Sequence, residues 1–446
     1  MASKTDRRNR PARGGPPGPP DQASVRGANR TRLSLHVPEP DGRPGDEPDF
    51  SKLVIPAAGS VARPDISAAA ADTHPLCFTL VRVLDEDGQA VGPWDPRLDA
   101  ETLKRMLKDM MTVRAFDERM FRAQRQGKTS FYMKSLGEEA VAVAAAYALD
   151  GEDMCFPTYR QQGLLVARGY PMVEMMNQIY SNRGDRLKGR QLPVMYSDKK
   201  KGFFSISGNL ATQYPQAVGW AMGSAVKGDS RIAAAWIGDG STAEGDFHSA
   251  VLFAGIYRAP VILNVVNNQW AISSFSGIAG GELTTFAARA VGYGIAGLRV
   301  DGNDPLAVYA ATQWAADRAR SNLGPTLIEM FTYRVEGHST SDDPSAYRPQ
   351  GAGKKWPLGD PIERLKAHLV SLGEWDDGRH EELAKEVDTE VRAAQKEAEK
   401  LGTLVASTID FPQDVSTMFE DVFEEMPWHL KEQQAQMIAE LEAKKK

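Results

Sequence analysis

Two short polar motifs, each at the end of an apolar run, are the residues of this chain best suited to chemistry. Gly238-Asp239-Gly240-Ser241 follows the run Ile232–Ile237, and Asn267-Asn268-Gln269-Trp270 follows Val261–Val266. A Gly-x-Gly turn lets the backbone approach a phosphate closely, and a helix behind it offers free N–H groups. A Rossmann dinucleotide fingerprint is the first reading to test, and it fails. The residue between the glycines is Asp239, a carboxylate facing a diphosphate, and the third glycine is absent from its expected place. Asp239 makes sense if a divalent cation bridges it to the phosphates. A small hard cation such as Mg²⁺ takes oxygen ligands from one or two side chains, backbone carbonyls and phosphate oxygens. Asp239, Asn268 and the carbonyl of Trp270 would supply three of them.

The elements around these motifs form a strand–helix–strand unit with an oxygen ligand at the carboxyl end of each strand, where open α/β sheets bind ligands. Further strands are expected at Cys77–Leu84, Met154–Pro157, Phe203–Ile206, Leu298–Val300 and Thr326–Thr332. Helical spacing runs from an Asp99 N-cap through Leu103, Met106, Leu107, Met110 and Val113 towards Gln126. Gly137–Leu149 is a second helix, and its small residues predict close packing. Helical pieces broken at Gly169 and Pro171 follow, then an Ala- and Gly-rich helix through Ala217–Val226, and one that Asp301–Asp304 caps near Pro305. Arg334–Gly359 is long and irregular, as functional loops often are. Helices follow from Pro361 and over 377–401, and Lys431–Lys446 reads as a charged helix or a frayed end.

Strands alternating with helices predict an α/β fold with a mostly parallel sheet and helices on both faces. The expected division is a disordered tail at 1–32, an irregular N-terminal extension at 33–98, a cofactor-binding domain at 99–360 and a C-terminal helical region at 361–446.

The 446 residues carry a formal net charge of −6, which gives no hint of nucleic acid binding. No apolar run approaches the ~20 residues that span a bilayer. Two isolated cysteines, Cys77 and Cys155, make neither a disulfide framework nor a metal site, and point to a reducing compartment. Residues 1–32 are rich in Arg, Pro and Gly, with no apolar segment for a secretory signal. Pro16-Pro17-Gly18-Pro19-Pro20 cannot be the amphipathic helix of a mitochondrial presequence. The cytoplasm of a bacterium is the expected location.

Gly-Asp-Gly, an intervening helix and a strand ending in Asn-Asn look like the thiamine diphosphate-binding motif. From about residue 77 to 430 the chain resembles the alpha subunits of the first component of 2-oxo acid dehydrogenase complexes, most closely the bacterial branched-chain (2-oxoisovalerate) type. The stretches that carry the resemblance are Ser130–Met133 with Gly137-Glu138-Glu139, Thr158–Arg160, Lys188–Pro193, Leu210–Gln213, the diphosphate motif, Arg299–Asp304 and His338–Tyr347.

The resemblance implies the thiamine diphosphate-binding fold and roles at the matching positions. Tyr159 and Arg160 contact the diphosphate. Gly208 and Leu210 flank the aminopyrimidine and thiazolium, Leu210 helping to impose the bent shape of the cofactor. Asp239, Asn268 and the Trp270 carbonyl hold Mg²⁺, while Gly240 and Ser241 contact the diphosphate. Ser207, the Asn209 carbonyl, Thr212 and Gln213 match a potassium site, although Gly208-Asn209 replaces the Ser-Pro of animal relatives. Among seven histidines, His338 is the catalytic candidate. It follows Gly337 in the long polar loop and would meet the diphosphate or the substrate and assist proton movement. Arg334, leading into that loop, is a second phosphate or carboxylate partner. Ser339 matches a serine phosphorylated in animal relatives, and the second such site falls on Pro349.

The implied reaction is decarboxylation of a branched-chain 2-oxo acid such as 3-methyl-2-oxobutanoate, with transfer of the acyl group to the lipoyl group of an acyltransferase second component. The family's glutamate for activating the aminopyrimidine belongs to a beta subunit, so an α2β2 heterotetramer with the cofactor at the α/β interface is expected. The small-residue helices Gly137–Leu149 and Ala217–Val226 are candidates for close subunit packing. Two alternatives stand beside this reading. One is a pyruvate dehydrogenase alpha subunit, against which the Gln191-Leu192-Pro193 loop and Ser339–Asp343 look branched-chain. The other is a non-catalytic Rossmann-like binding subunit, indifferent to Mg²⁺ and thiamine diphosphate.

Overall fold

A computed structural model of the chain describes residues 33–404 and 415–444. The chain divides into two units, Met1–Pro38 and Glu39–Lys446. The described part of the first, 33–38, has no regular structure. All the elements belong to the second. In order they are α1 (Ala70–Thr73), α2 (Ala100–Arg125), α3 (Glu139–Ala148), β1 (Met154–Phe156), α4 (Gly163–Ala167), α5 (Met172–Tyr180), α6 (Gln213–Val226), β2 (Ala233–Gly238), α7 (Gly245–Tyr257), β3 (Val261–Asn267), β4 (Trp270–Ala271), β5 (Ser274–Phe275), α8 (Arg289–Tyr293), β6 (Ala296–Asp301), α9 (Pro305–Arg320), β7 (Thr326–Phe331), α10 (Pro361–Ser371), α11 (Asp377–Glu399) and α12 (Trp428–Lys444).

Five strands form one sheet in the order β1-β2-β3-β7-β6, and every pair is parallel. β4 and β5 make a small antiparallel hairpin after β3. Strands buried on both faces read as continuous apolar runs, and β2 and β3 show why. Ala234, Trp236, Ile262 and Val266 face one core with α2, α3, α9 and α11, whereas Ala233, Ala235, Ile237, Val261, Leu263 and Val265 face a second with α6, α7 and α8.

Side-chain caps set the helix starts. Asp99 accepts from Thr102 N at 2.8 Å. Asp304 Oδ1 accepts from Leu306 N and Ala307 N at 3.1 Å, and Asp360 accepts from Ile362 N at 2.9 Å, each before a proline at the first helical position. α3 is apolar all round and buried on nearly every side. Its small residues are used inside the chain, against α9, α4 and α2. The expectation that this helix serves subunit packing is corrected. α6 differs: a Cβ at Gly219 or Gly223 would meet open space.

Two expected strands are not regular strands. At Cys77–Leu84, Cys77 ends a 3-10 turn that begins at His74, and only single bridges follow, Val81 to Val300 and Leu84 to Ala90. The reason is that Val83 N and Leu84 N donate to Asp304 Oδ2, at 2.8 and 2.7 Å, so a side chain takes the ladder's donors. Phe203–Ile206 makes one parallel bridge, Phe203 to Cys155. Beyond Phe204 the backbone turns to other partners, and Ile206 N donates to the Tyr196 carbonyl. The tail expected at 1–32 lies outside the described residues. Among the described residues, no helix is long and apolar enough to cross a membrane.

Candidate functional site

Because β1, β2, β3 and β7 are parallel neighbours, their carboxyl ends share one edge. There β1 leads to Thr158–Arg160, β2 ends at Gly238 before Asp239, β3 ends at Asn267 before Asn268, and β7 leads to Tyr333 and Arg334. These are the segments singled out in the sequence, brought to one edge by topology.

Asp239 is buried at the start of a 3-10 turn, Gly240–Ala243. Its Oδ1 accepts from Gly240 N at 2.8 Å, while Oδ2 is buried with no hydrogen-bond partner. Burial pushes its carboxyl up to about 7, the Gly240 N–H and Arg334 opposing it. An ionised carboxylate placed this way needs a cation beside it. The turn lies against the loop after β3, since a Cβ on Gly240 would run into the Ala271 Cβ. Gly238 and Gly208, by contrast, face open space. Ser241 is buried in the same turn, and Thr242 Oγ1 donates to the Asp239 carbonyl at 2.6 Å.

Asn268 is also buried. Its Nδ2 donates to Glu138 Oε1 at 2.9 Å, and its Oδ1 accepts from Trp270 N at 3.3 Å. The Trp270 carbonyl accepts from Arg334 Nη1 at 3.1 Å, and the Trp270 indole donates to Tyr333 Oη at 3.2 Å. One lone pair of that carbonyl is therefore engaged by a guanidinium, leaving the second for a cation. Arg334 is fully buried and also donates to the Ile272 carbonyl at 2.8 Å and Tyr347 Oη at 2.6 Å.

Arg160 is buried and donates to the carbonyls of Lys134 and His338, the latter at 2.6 Å, and lies 3.3 Å from His338 Nδ1. Its nearest carboxylate is Glu138, at 4.0 Å. Tyr159 meets the His338 ring edge to face, centroids 5.6 Å apart. His338 N donates to Asp342 Oδ2 at 2.5 Å, and Tyr347 Oη donates to the same oxygen at 2.6 Å. Burial, then Arg160 and Arg334, pushes the imidazole down to about 3, so it is neutral at physiological pH. Two buried guanidiniums whose carboxylate neighbours, Glu138 and Asp342, come no closer than 4.0 Å, an orphaned carboxylate oxygen and a glycine-lined turn suit a metal-bound diphosphate. Among the described residues, no group of three or more His, Cys, Asp or Glu side chains could hold a metal, so phosphate and carbonyl oxygens must complete any shell.

The 207–213 loop precedes α6. Asn209 N donates to Ser207 Oγ at 3.1 Å, Thr212 Oγ1 to the Asn209 carbonyl at 3.0 Å, and Gln213 Nε2 to the Ser207 carbonyl at 3.2 Å. Gln213 Oε1 is buried without a partner. Hydrogen bonds within the loop thus link Ser207, Asn209, Thr212 and Gln213 to one another. Leu210 is 51% exposed and Gly208 is exposed, and no hydrogen bond joins either to the Asp239 group.

Sequence reasoning assigned no role to Glu138, Asp117, Tyr132 or Thr340. Asp117 is buried and accepts from Tyr132 Oη at 2.6 Å, Ser135 N at 2.6 Å, Ser135 Oγ at 2.9 Å and Gln162 Nε2 at 2.9 Å. Tyr132 N donates to Thr340 Oγ1 at 3.1 Å, and Thr340 N donates to the Tyr132 carbonyl at 2.9 Å. This pair ties the His338 loop to the segment that carries Lys134. Asp117 falls on the buried stripe of α2 with Val113, Phe116 and Met120, and a carboxylate on that apolar stripe was the available signal. A cavity of about 420 Å³ lined by Phe50, Leu53, Phe275, Tyr333 and Trp356 lies against the Trp270 side chain, away from Asp239.

The family model described as Dehydrogenase E1 component matches residues 107–407, and that described as 2-oxoisovalerate dehydrogenase E1 alpha subunit N terminal matches residues 31–71. The chain is 61% identical over 405 residues to the 2-oxoisovalerate dehydrogenase subunit alpha of Pseudomonas aeruginosa, covering 91% of this chain and 98% of that protein. It is 40% identical over 366 residues to the mitochondrial 2-oxoisovalerate dehydrogenase subunit alpha of Bos taurus, covering 81% of this chain and 78% of that protein. The human counterpart is likewise 40% identical over 366 residues, with 81% and 80% covered.

Proposed function

Because the chain belongs to the dehydrogenase E1 component family, among the 2-oxoisovalerate dehydrogenase alpha subunits, we propose that it supplies the diphosphate- and metal-binding half of a thiamine diphosphate site that a beta subunit completes. Its activity is that of the family, oxidative decarboxylation of branched-chain 2-oxo acids such as 3-methyl-2-oxobutanoate with transfer of the acyl group to lipoamide of the second component. Asp239 carries the reading, because its buried Oδ2 lacks any partner and burial works against its charge.

Asp239 Oδ2, Asn268 Oδ1 and the Trp270 carbonyl hold Mg²⁺. Tyr159, Arg160, Gly240 and Ser241 bind the diphosphate, the guanidinium by charge-assisted hydrogen bonds. Gly208 and Leu210 bear on the rings of the cofactor. Ser207, Asn209, Thr212 and Gln213 hold K⁺ and with it the loop that presents Leu210. Bound thiamine diphosphate supplies the electron sink for decarboxylation. His338, neutral and fixed by Arg160 and Asp342, orients the substrate or diphosphate and holds a proton at Nε2, the ring nitrogen that Arg160 does not engage. Among the described residues there is one five-stranded parallel sheet, and the pyrimidine-binding half of the site falls in this reading to the beta subunit of an α2β2 assembly. The exposed apolar residues of α7, Leu252, Phe253, Ile256 and Tyr257, suit such an assembly. A bacterial cytoplasmic setting fits two buried free thiols, Cys77 and Cys155.

The test is co-expression with a candidate beta subunit, then decarboxylation assays on 3-methyl-2-oxobutanoate and pyruvate, with and without Mg²⁺ and thiamine diphosphate. The branched substrate is favoured and both cofactors are required. Preference for pyruvate overturns the substrate assignment, and activity or cofactor binding indifferent to Mg²⁺ overturns the site.

A further inference from the structure

Glu138 sits at the N-cap of α3, 2% exposed, where the chain turns against the end of β7. Gly137 makes that approach possible. Its φ is +90°, and a Cβ there would stand 2.8 Å from the Tyr333 carbonyl. The turn is closed by Glu138 N donating to the Ser135 carbonyl at 2.8 Å. Thus the backbone that carries Glu138 is held in place, and the carboxyl reaches out from a fixed Cα. It then faces two side chains of the site, Asn268 Nδ2 at 2.9 Å and Arg160 Nε at 4.0 Å.

An asparagine amide has a donor end and an acceptor end of almost equal shape, and only its partners decide which way it lies. The Glu138 oxygen that faces Asn268, Oε1, is an acceptor. The nitrogen of Asn268 must therefore face Glu138, because a flipped amide would set its oxygen against the carboxylate. The oxygen is left pointing away, held only by the 3.3 Å bond from Trp270 N. We propose that Glu138 is a positioning residue that orients Asn268 with its carbonyl oxygen available to the metal, and that it couples this orientation to the diphosphate-binding Arg160. The proposal rests on the metal site of the preceding section. Outer partners that orient a metal ligand influence metal affinity more than they influence chemistry in the loaded site.

Two mild substitutions in the assembled α/β complex test it. Glu138→Asp keeps the charge but withdraws the acceptor from Asn268 by one methylene. Glu138→Gln keeps the reach but puts there an amide that can turn either its donor or its acceptor end to Asn268. Calorimetric titration of thiamine diphosphate at a series of Mg²⁺ concentrations reads the outcome. Both variants raise the Mg²⁺ needed for half-maximal binding, Glu138→Asp about tenfold, while saturating Mg²⁺ restores the wild-type binding stoichiometry. An unchanged Mg²⁺ requirement in either variant overturns the proposal. Wild-type binding that ignores Mg²⁺ removes the metal site itself and this inference with it.

Discussion

Arg160 and His338, 178 residues apart, meet twice: the guanidinium donates to the His338 carbonyl at 2.6 Å and lies 3.3 Å from its Nδ1. The contact fixes the loop after β7 to the loop after β1, and it places a permanent positive charge beside an imidazole. Burial and the charges of Arg160 and Arg334 together outweigh the attraction of Asp342, so the ring stays neutral down to about 3.

A pH dependence follows. The folded value of His338 lies below its ordinary 6.5, so its contribution to stability is present above 6.5 and is lost as pH falls towards 3. Denaturant midpoints of the cofactor-free complex, taken from pH 7 to 4.5, fall with acid, and His338→Gln flattens part of that slope. In NMR of histidine-labelled protein the His338 resonance stays at its neutral position from pH 8 to 5. A resonance that titrates near the ordinary value would show that the Arg160 contact is not kept in solution.

Removing the orphaned carboxylate separates metal binding from folding. At Mg²⁺ and thiamine diphosphate concentrations one hundred times Kd, ligand linkage stabilises the wild-type complex by roughly 2.7 kcal/mol. Asp239→Asn abolishes that increment. It leaves the cofactor-free complex at least as stable as wild type at pH 8, because a buried carboxylate whose folded pKa is raised costs stability as pH rises through about 7. Thermal melting of both proteins with and without cofactor measures the two effects together. A ligand-induced shift retained in Asp239→Asn is the outcome that contradicts the metal assignment.

Asp117 gives a stability prediction outside the cofactor shell. Asp117→Ala strands the Tyr132 hydroxyl, Ser135 N–H and Gln162 amide in a dry interior. The loss is about 3 kcal/mol or more, since each buried donor left without a partner costs roughly 1–3 kcal/mol. Asp117→Asn retains an acceptor and loses less. Urea denaturation of the assembled complex orders the three proteins as wild type, Asp117→Asn and Asp117→Ala. Because Tyr132 is tied to Thr340, the alanine variant also exposes the 334–359 loop to limited proteolysis.

Much of the scaffold was legible because its signals are local. Apolar runs ending in Gly-Asp-Gly and Asn-Asn became β2 and β3, and Asp99 and Asp304 capped the helices read from them. Cys77–Leu84 was misread because its apolar alternation says nothing of a distant Asp304 that takes the backbone donors of Val83 and Leu84. The small residues of α3 signal close packing equally well inside a subunit or between two, and only the position of α9 distinguishes these.

The same division holds at the site. Residue type and spacing alone determined that Asp239, Asn268 and Trp270 stand at strand ends with oxygen ligands, and that His338 lies in a polar loop. Their chemistry is intrinsic to the side chains and their setting to short-range periodicity. The tertiary structure decided that Arg160 holds His338, that Arg334 already engages the Trp270 carbonyl, and that Glu138 faces Asn268. Each of these is a contact between segments far apart in the chain. Burial there sets both the charge of a group and the direction of an amide, and burial is a property of the packed molecule that no local pattern contains.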